Sequence, residues 1–274
     1  MHVAITGAAG QIGEIAREAF EPAERTLFTH SEHEGLDATV LEVTDREAVG
    51  AALADAGADV LLHLAWGPAG RDDWEDGHAS NLEGTIDVLE AAVEHDLDRV
   101  VLASSIHAVG MYNRERADEM ESLVAEPATV IGPDDPPRPD SYYGVAKVAC
   151  EAMGRYYADR YDLEVVPLRI GWVCDREELR AVATAASSES DRARGRFARA
   201  TWLSPRDCRA VCEAAVRADL GPAMTPGRPL PAISANADRF QTLAPTMRAI
   251  GYRPRDDAAA VLDKAERGGT AEEG

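Results

Sequence analysis

The stretch His2-Val3-Ala4-Ile5-Thr6-Gly7-Ala8-Ala9-Gly10-Gln11-Ile12-Gly13 decides the fold. Its first five residues form an apolar, β-branched run that predicts a buried strand. Glycines follow at positions 7, 10 and 13, and residues 14–20 have the pattern of a helix. Such glycines permit a tight turn, a close backbone approach to a pyrophosphate and close packing of helix on strand. The sequence therefore predicts a dinucleotide site at the start of the chain.

The next two predicted strands, residues 25–29 and 39–43, carry the signals for cofactor choice. In NAD-specific sites of this kind, an acidic residue near the end of the second strand holds the ribose hydroxyls. Here the tip of that strand reads Thr29-His30-Ser31, without an acid. This tip leaves room for a 2′-phosphate, which favours NADP over NAD. Glu42 and Val43, at the end of the third strand, are expected to lie against the adenine.

Strands and helices alternate up to residue 170. Further strands are predicted at 59–65, 99–103 and 164–170, and helices are predicted from the N-cap Asp45 to residue 56, at 81–95 and at 142–160. This alternation predicts an α/β fold with a doubly wound parallel sheet (Rossmann) and a small C-terminal substrate-binding region. Ligands of such sheets bind at the carboxyl ends of the strands, where Gly7, Trp66, Ser105 and Tyr143 all fall.

The chain divides into three predicted parts. Residues 1–170 form the dinucleotide-binding Rossmann domain, 171–267 a substrate-binding region interleaved with the Rossmann core, and 268–274 a disordered tail. The Pro-rich, acidic segment 111–140 is either a lid over the substrate or a solvated insertion. The locally basic segment 192–199 is expected to lie close to the substrate or to an acidic neighbour. His63, inside a predicted strand, is expected to be a core histidine.

Tyr143 and Lys147 stand four residues apart at the start of the predicted helix 142–160, so their side chains share one face. An ammonium beside a phenol stabilises the phenolate and lowers the pKa of the phenol from about 10 toward neutral pH, which makes it a candidate general base for an alcohol. The alternative is a solvated helix surface. Lysine occurs only at Lys147 and Lys264, while the other 26 of the 28 basic residues are arginine. This favours a use of Lys147 as a compact point charge.

The composition restricts the setting. With 49 acidic and 28 basic residues, the net charge is −21, which argues against nucleic acid as a partner. The apolar content of 45% contradicts disorder. An acidic surface with little lysine fits concentrated salt, where screening weakens self-repulsion, so we expect a halophilic protein. Four cysteines without a metal-ligand pattern, no long apolar run and no visible signal peptide predict a cytoplasmic protein with no membrane partner and no metal.

Four motifs occur in the order of a known superfamily. They are Thr6-Gly7-x-x-Gly10-x-x-Gly13, Asn81-x-x-Gly84, Ser104-Ser105 and Tyr143-x-x-x-Lys147. With them the chain resembles an extended short-chain dehydrogenase/reductase. The segments 104–110, 168–171, 200–204 and 250–254 resemble the uronate dehydrogenase-like sugar dehydrogenases, whose haloarchaeal relatives oxidise L-arabinose or glucose 6-phosphate.

The resemblance implies roles for particular residues. Ser105 would orient the substrate hydroxyl, Tyr143 would be the base, and Lys147 would assist it and hold the nicotinamide ribose. Asn81 would complete a proton relay or brace the sheet. The cofactor-binding residues would be Gly7, Ala9, Gly10, Gln11, Ile12, Gly13, His30, Ser31, Glu42, Val43, Leu64, Ala65, Trp66, Tyr143, Lys147 and Ile170. The substrate-binding residues would be Ser105, Ile106, His107, Tyr143, Trp172 and Arg196.

Departures from the family pattern narrow the range of candidate substrates. Uronate dehydrogenases have Asn in place of Ile106 and a carboxylate-binding Arg in place of Phe197, which favours an uncharged, L-arabinose-like aldose oxidised at C1 to the lactone by NADP or NAD. A uronate remains an alternative, as does a sugar phosphate, because Arg114, Arg116 or the arginines of 192–199 could contact the phosphate.

Two further alternatives change the reaction or the class. A nucleotide-sugar epimerase or dehydratase would usually have Tyr in place of Val109. A dinucleotide-binding sensor without catalysis would tend to lack the Tyr–Lys pair. The superfamily usually dimerises through the helices at 81–95 and 142–160, so the resemblance also implies a homo-oligomer.

Overall fold

The structure is a computed structural model, and it describes residues 1–67, 74, 78–112, 130–185, 187–221 and 224–269. The strands are β1 Val3–Thr6, β2 Arg25–Thr29, β3 Thr39–Val40, β4 Val60–His63, β5 Arg99–Ser105, β6 Glu164–Ile170, β7 Trp172–Val173, β8 Trp202–Leu203 and β9 Leu230–Ala232. The helices are α1 Gln11–Ala16, α2 Arg46–Ala56, α3 His78–Glu94, α4 Tyr142–Arg160, α5 Arg176–Thr184, α6 Glu189–Thr201, α7 Pro205–Arg217, α8 Ala244–Ala249 and α9 Ala258–Gly269, with short 3₁₀ turns at Arg17–Ala19, Pro22–Glu24 and Ile106–Val109.

Seven strands form one sheet in the order β3-β2-β1-β4-β5-β6-β9, and every pair is parallel. The strand β1 pairs with β2 on one side and with β4 on the other, so the chain winds outward from the centre in both directions. All residues of β1 and β4 are buried, as a parallel sheet covered on both faces requires. The predicted doubly wound α/β fold is confirmed.

Helices cover both faces of this sheet. On one face α1 and α7 pack through residues such as Ala16, Val211 and Cys212. On the other face α2 and α4 pack through residues such as Leu53 and Tyr157, together with α3. The carboxyl ends of β1, β4, β5 and β6 are left uncovered by these two layers, and the cavity described below opens there.

Several predicted bounds shift in the structure. The third strand ends at Val40 rather than at residue 43, because it is the edge strand of the described sheet and its partner there, β2, ends at Thr29. A turn between Glu42 and Asp45 follows. The strand predicted at 59–65 ends at His63, which pairs with the last residue of β1. The strand predicted at 99–103 instead continues to Ser105, where its neighbour β6 also ends.

The helices shift as well. The first helix begins at Gln11, directly after Gly10, and not at residue 14. The helix predicted from 81 begins at His78, which places Asn81 within the helix rather than at its start. The helix α9 continues through Gly268 and Gly269, inside the predicted tail, and residues 270–274 lie outside the described part.

The region after residue 170 contributes to both parts of the fold. It supplies β9 to the main sheet, and it supplies β7 and β8, which form a separate parallel pair. The proposed division at residue 170 stays a prediction. Most of the segment predicted as a lid or insertion, residues 113–129, lies outside the described residues.

Candidate active site

The glycine turn after β1 forms a backbone cradle. Gly7 has a φ of 69°, and a Cβ on it would lie 2.7 Å from the Ala65 nitrogen. A Cβ on Gly13 would overlap the carbonyl oxygen of Gly7. The Gly10 N–H donates to that same oxygen at 3.0 Å, which closes the turn. Only residues without side chains fit these two positions, and the cradle leaves the backbone open to a pyrophosphate.

A cavity of about 1170 Å³ opens at the carboxyl ends of the central strands, beside this cradle. Its walls include many of the residues predicted for cofactor and substrate. These are Gln11, Ile12, Leu64, Trp66, Ser105, Ile106, His107, Tyr143, Lys147, Ile170 and Trp172. Walls outside the predicted sets come from Ala103, Ser104, Met111, Asp140, Gly171, Val173, Glu178 and Ser190, and the segment 192–199, expected near the substrate or an acidic neighbour, adds Ala193, Arg194 and Phe197.

Other predicted residues do not line the cavity in the described part of the chain. Among them are Gly7, Ala9, Gly10, Gly13, Ala65, Asn81 and Arg196, together with His30, Ser31, Glu42 and Val43 at the predicted adenosine end. The glycines form the cradle at the edge of the cavity. Arg196 lies on α6, the same helix as Arg194, and it is Arg194 that reaches the cavity wall.

Lys147 is the buried charge of the site. Its side chain leaves α4 next to Tyr143, and it is only 3% exposed. The Nζ atom donates to the Ala103 carbonyl oxygen at 2.7 Å and lies 5.5 Å from the centre of the Tyr143 ring. Burial lowers the pKa of Lys147 to about 8, while Cys150 and Glu151 oppose this shift. A positive charge therefore stands beside the phenol at neutral pH.

The start of α4 fixes this pair against the end of β5. The Ser141 side chain caps the helix and accepts a hydrogen bond from the Gly144 N–H at 3.2 Å. Ser105, the last residue of β5, accepts a hydrogen bond from the His107 N–H at 3.2 Å. The phenol, the ammonium and the serine hydroxyl all line the same cavity.

His107 is held by a carboxylate that the sequence did not indicate. Its Nδ1 donates to Asp140 at 2.9 Å, and the Asp140 side chain is 3% exposed. The imidazole stacks on Phe197 with 5.4 Å between ring centroids and meets the edge of Tyr143 at 5.7 Å. Asp140 precedes the helix cap Ser141 directly, and this position was the only signal for it.

A second buried cluster lies beneath the site. Glu151, one turn after Lys147 on α4, accepts two hydrogen bonds from Arg169 of β6, both at 2.8 Å, and one from the Ser104 hydroxyl at 2.6 Å. Arg169 is 2% exposed. The cluster joins α4, β5 and β6 below the cavity. An acid four residues after Lys147 on a helix packed against the sheet could have indicated it.

Asn81 contacts the loop after β4. Its Oδ1 accepts from the Gly67 N–H at 2.7 Å, and its Nδ2 donates to the Gly67 oxygen at 3.4 Å. This contact joins α3 to the loop after β4, and both predicted roles, the proton relay and the bracing of the sheet, stay predictions. His63 is the core histidine that was expected. It contacts the Thr6 hydroxyl at 2.8 Å, and burial, together with Lys147, lowers its pKa to about 3.

The predicted adenosine end lies at the tips of β2 and β3. Glu42 lies 3.4 Å from the His30 ring and accepts from the Thr44 hydroxyl at 3.0 Å, so an acid does reach the tip of β2, from the following turn. Ser31 contacts His33 at 3.5 Å. Val43 packs into the core with α2 and α3. The contact of His30 with Glu42 was missed because the two residues are distant in sequence.

The basic segment 192–199 divides between the cavity and the surface. The Arg194 guanidinium lies 5.1 Å from the centre of the Trp172 ring in the cavity wall. Arg199 pairs with Asp238 at 2.7 Å. Arg114 and Arg116 lie outside the described residues. The described chain contains no cluster of three or more metal-binding side chains and no helix with the length and hydropathy needed to cross a membrane.

Known proteins resemble this chain along nearly its whole length. It is 45% identical to L-arabinose 1-dehydrogenase (NAD(P)(+)) of Haloferax volcanii, over 95% of this chain and 99% of that protein. It is 31% identical to an NAD-dependent glucose-6-phosphate dehydrogenase of the same organism, over 96% and 97%. A solved mutant of uronate dehydrogenase from Agrobacterium tumefaciens in complex with NAD superimposes with a TM-score of 0.73 at 26% identity, covering 97% of this chain and 89% of that one.

The family follows from residues 3–213, which match the NAD dependent epimerase/dehydratase family. This match covers the glycine cradle, β1 to β6 and the Tyr143–Lys147 pair. It agrees with the predicted resemblance to the extended short-chain dehydrogenases/reductases. The chain belongs to the NAD dependent epimerase/dehydratase family.

Proposed function

We propose that this protein oxidises a cyclic, uncharged aldose such as L-arabinose at C1, with NAD or NADP as the oxidant, and releases the lactone. The observation that carries the proposal is the buried Lys147 ammonium beside Tyr143 in a cavity that Ser105 also lines. The 45% identity to an L-arabinose 1-dehydrogenase supports the choice of substrate and cofactor.

A bound nicotinamide cofactor would supply the acceptor for the hydride that leaves C1 of the sugar. The Tyr143 phenolate takes the proton of the anomeric hydroxyl, so that C1 becomes the carbonyl carbon of the lactone. Ser105 donates a hydrogen bond to the same oxygen and orients it. The charge of Lys147 stabilises the phenolate before the proton moves. The proposed cofactor side of the cavity consists of the glycine cradle, Gln11, Ile12, Leu64 and Trp66. The proposed substrate side consists of His107, Ile106 and Trp172.

The walls on the substrate side support an uncharged sugar. Ile106 and Phe197 are apolar, and Phe197 stacks on His107, so this wall offers carbon surface and an imidazole rather than a guanidinium. A second candidate, a phosphorylated or carboxylated sugar, is favoured by one observation. Arg194 lines the cavity and is exposed, so it can reach an anion there. The glucose-6-phosphate dehydrogenase relative supports the same alternative.

We also propose a halophilic, cytoplasmic setting and a homo-oligomer. The net charge of −21 and the four buried, unpaired cysteines support the first. Exposed apolar side chains support the second, since Ile86 of α3 and Tyr142, Val145 and Tyr156 of α4 stand on the two helices that were expected to form the interface.

The test is a panel of aldoses, uronates and sugar phosphates, each with NAD and with NADP, in molar KCl. Absorbance of the reduced nicotinamide reports turnover. We expect reduction with a neutral pentose or hexose, and weaker or no reduction with uronates. Preference for a sugar phosphate would move the function to the second candidate. No reduction with any sugar, with cofactor still bound, would contradict the proposal and favour an epimerase or a sensor.

A further inference from the structure

The ammonium of Lys147 rests on an aromatic ring. Its Nζ atom lies 3.4 Å from the centre of the Trp66 indole, and its one hydrogen bond within the described chain goes to the Ala103 carbonyl. In the same part of the chain, no carboxylate forms an ion pair with it. Glu151, one turn away, is occupied by Arg169 and by the Ser104 hydroxyl. A buried charge is therefore compensated by one carbonyl dipole and one π face.

We propose that Trp66 is a positioning residue for Lys147: the face of its indole holds the ammonium at the floor of the cavity and keeps it charged there. The positioning stands on the geometry alone. Its consequence for turnover rests on the proposed function, in which the charge of Lys147 acts on Tyr143.

An aromatic face suits this task better than a carboxylate. A carboxylate in contact with Lys147 would cancel most of its positive potential at Tyr143, because two opposite charges at short range form a dipole. The indole carries no net charge, so its quadrupole attracts the ammonium and leaves the full charge to act on the phenol. The ring meets Tyr143 edge-on, with 5.7 Å between centroids and an interplanar angle of 89°, so it packs against both members of the pair.

The indole N–H supports the same reading. The Nε1 atom of Trp66 is buried and has no hydrogen-bond partner in the described part of the chain, although a buried tryptophan N–H usually finds one. A hydrogen bond of the N–H to these residues therefore does not set the orientation of the ring. Two interactions remain to orient the indole. Its face contacts the Lys147 ammonium, and its ring packs against the Tyr143 ring.

The other titratable groups near Lys147 act in known directions. Burial lowers the pKa of Lys147 to about 8, and Cys150 and Glu151 on the same helix oppose that shift. On β4, His63 has a pKa lowered to about 3, so it is neutral near pH 7 and adds no charge. On β6, Arg169 neutralises Glu151. Tyr143, whose ring centre lies 5.5 Å from the Lys147 Nζ, is also titratable, and Trp66 is a contact that can be changed without altering any charge.

The two-lysine composition makes a direct test practical. With lysine labelled with ¹³C at Cε, the chain gives two side-chain signals, and Lys264→Arg assigns the one from Lys147. A pH titration in molar KCl, without cofactor, then gives the pKa of Lys147. We expect Trp66→Leu to lower it by about one unit, because the ammonium loses its π partner while it stays buried. In Trp66→Phe, which keeps a smaller aromatic face, the pKa of Lys147 should lie between its values in the unmodified protein and in Trp66→Leu.

The matched control is Trp172→Leu. Trp172 lines the same cavity but faces Arg194, so this change should leave the pKa of Lys147 unchanged. An unchanged or higher pKa of Lys147 in Trp66→Leu would overturn the inference, as would an equal fall in Trp172→Leu. If Trp66→Leu does not fold, Trp66→Phe alone tests the inference, because the inference requires a measurably lower pKa of Lys147 in that variant.

Turnover provides a second, separate readout. If the aldose is oxidised as proposed, the alkaline limb of the kcat profile should move to lower pH in Trp66→Leu by the same amount as the pKa of Lys147. A protein that oxidises no sugar but shows the expected titration would contradict the proposed function and leave the positioning role intact. An enzyme that oxidises the sugar, but whose Lys147 pKa does not change when Trp66 is replaced, would support the proposed function and contradict the positioning role.

Discussion

The buried ion pair of Arg169 and Glu151 lies beneath the site, and Arg169→Met should show how much this pair contributes to the stability of the fold. Arg169 of β6 donates two hydrogen bonds to Glu151 of α4, and the two side chains are 2% and 7% exposed. Met has similar length and no charge. The substitution therefore leaves the Glu151 carboxylate buried, with the Ser104 hydroxyl as its remaining hydrogen-bond partner in the described chain.

The size of the effect follows from that burial. Removing one partner of a buried ion pair costs about 3–5 kcal/mol, because the remaining charge is left uncompensated. For a chain of this length each kcal/mol lowers the Tm by about 2–4 °C, so we expect a fall of about 10 °C. The loss should be smaller in acid, where an unpaired carboxylate can take up a proton.

The assay is thermal unfolding in molar KCl, followed by circular dichroism. The double variant Glu151→Met with Arg169→Met removes both charges and should recover most of the lost stability. The control is Arg155→Met, which removes an Arg–carboxylate contact to Asp159 of similar length, 2.7 Å, on the surface of the same helix. That pair is exposed on both sides, so the change should stay within about 0.5 kcal/mol.

Two results would refute this reasoning. The first is a stability loss in Arg169→Met that is no larger than the loss in Arg155→Met. The second is a double variant that is as unstable as Arg169→Met, which would mean that the charge left behind is not the source of the loss.

Three further changes have defined outcomes. Gly13→Ala places a methyl group on the Gly7 oxygen, so calorimetry should show cofactor affinity reduced at least about 100-fold, and unchanged affinity would contradict the cradle. His63 has a folded pKa of about 3 against 6.5 for a free histidine, so the stability it contributes is present above about pH 6.5 and falls as the pH decreases. From pH 7 to 5 the protein should lose about 2 kcal/mol that His63→Gln does not lose in urea titrations, and parallel curves would refute this. Tyr143→Phe should bind cofactor normally but lose about 10³-fold or more in kcat, and full turnover would refute the assignment of the base.

The sequence predicted those parts of the fold whose signals are local. The strand Arg25–Thr29 and the helix Tyr142–Arg160 were predicted to the residue from the local pattern of the sequence. The third strand was too long, because an edge strand ends where its partner ends, and the partner's last residue is set by pairing across the sheet.

The residues of the site also divide into those predicted from local motifs and those whose contacts form only across the fold. The cradle, Ser105 and the Tyr143–Lys147 pair lie in short motifs, and spacing within a motif predicts their common location. Asp140 and Glu151 were missed because each finds its partner across the fold, 33 residues away in the case of His107 and 18 in the case of Arg169. The ring of Trp66 beneath Lys147 belongs to the same class, since the loop after β4 and the helix α4 meet only in the folded chain.

The central claim is that hydride leaves C1 of a neutral aldose. The most direct measurement uses L-arabinose carrying deuterium at C1, with NAD or NADP in molar KCl, and follows the products by NMR and mass spectrometry. We expect one lactone for each reduced cofactor, with the deuterium in the cofactor. An epimerised sugar without net reduction, or reduced cofactor without deuterium, would contradict it.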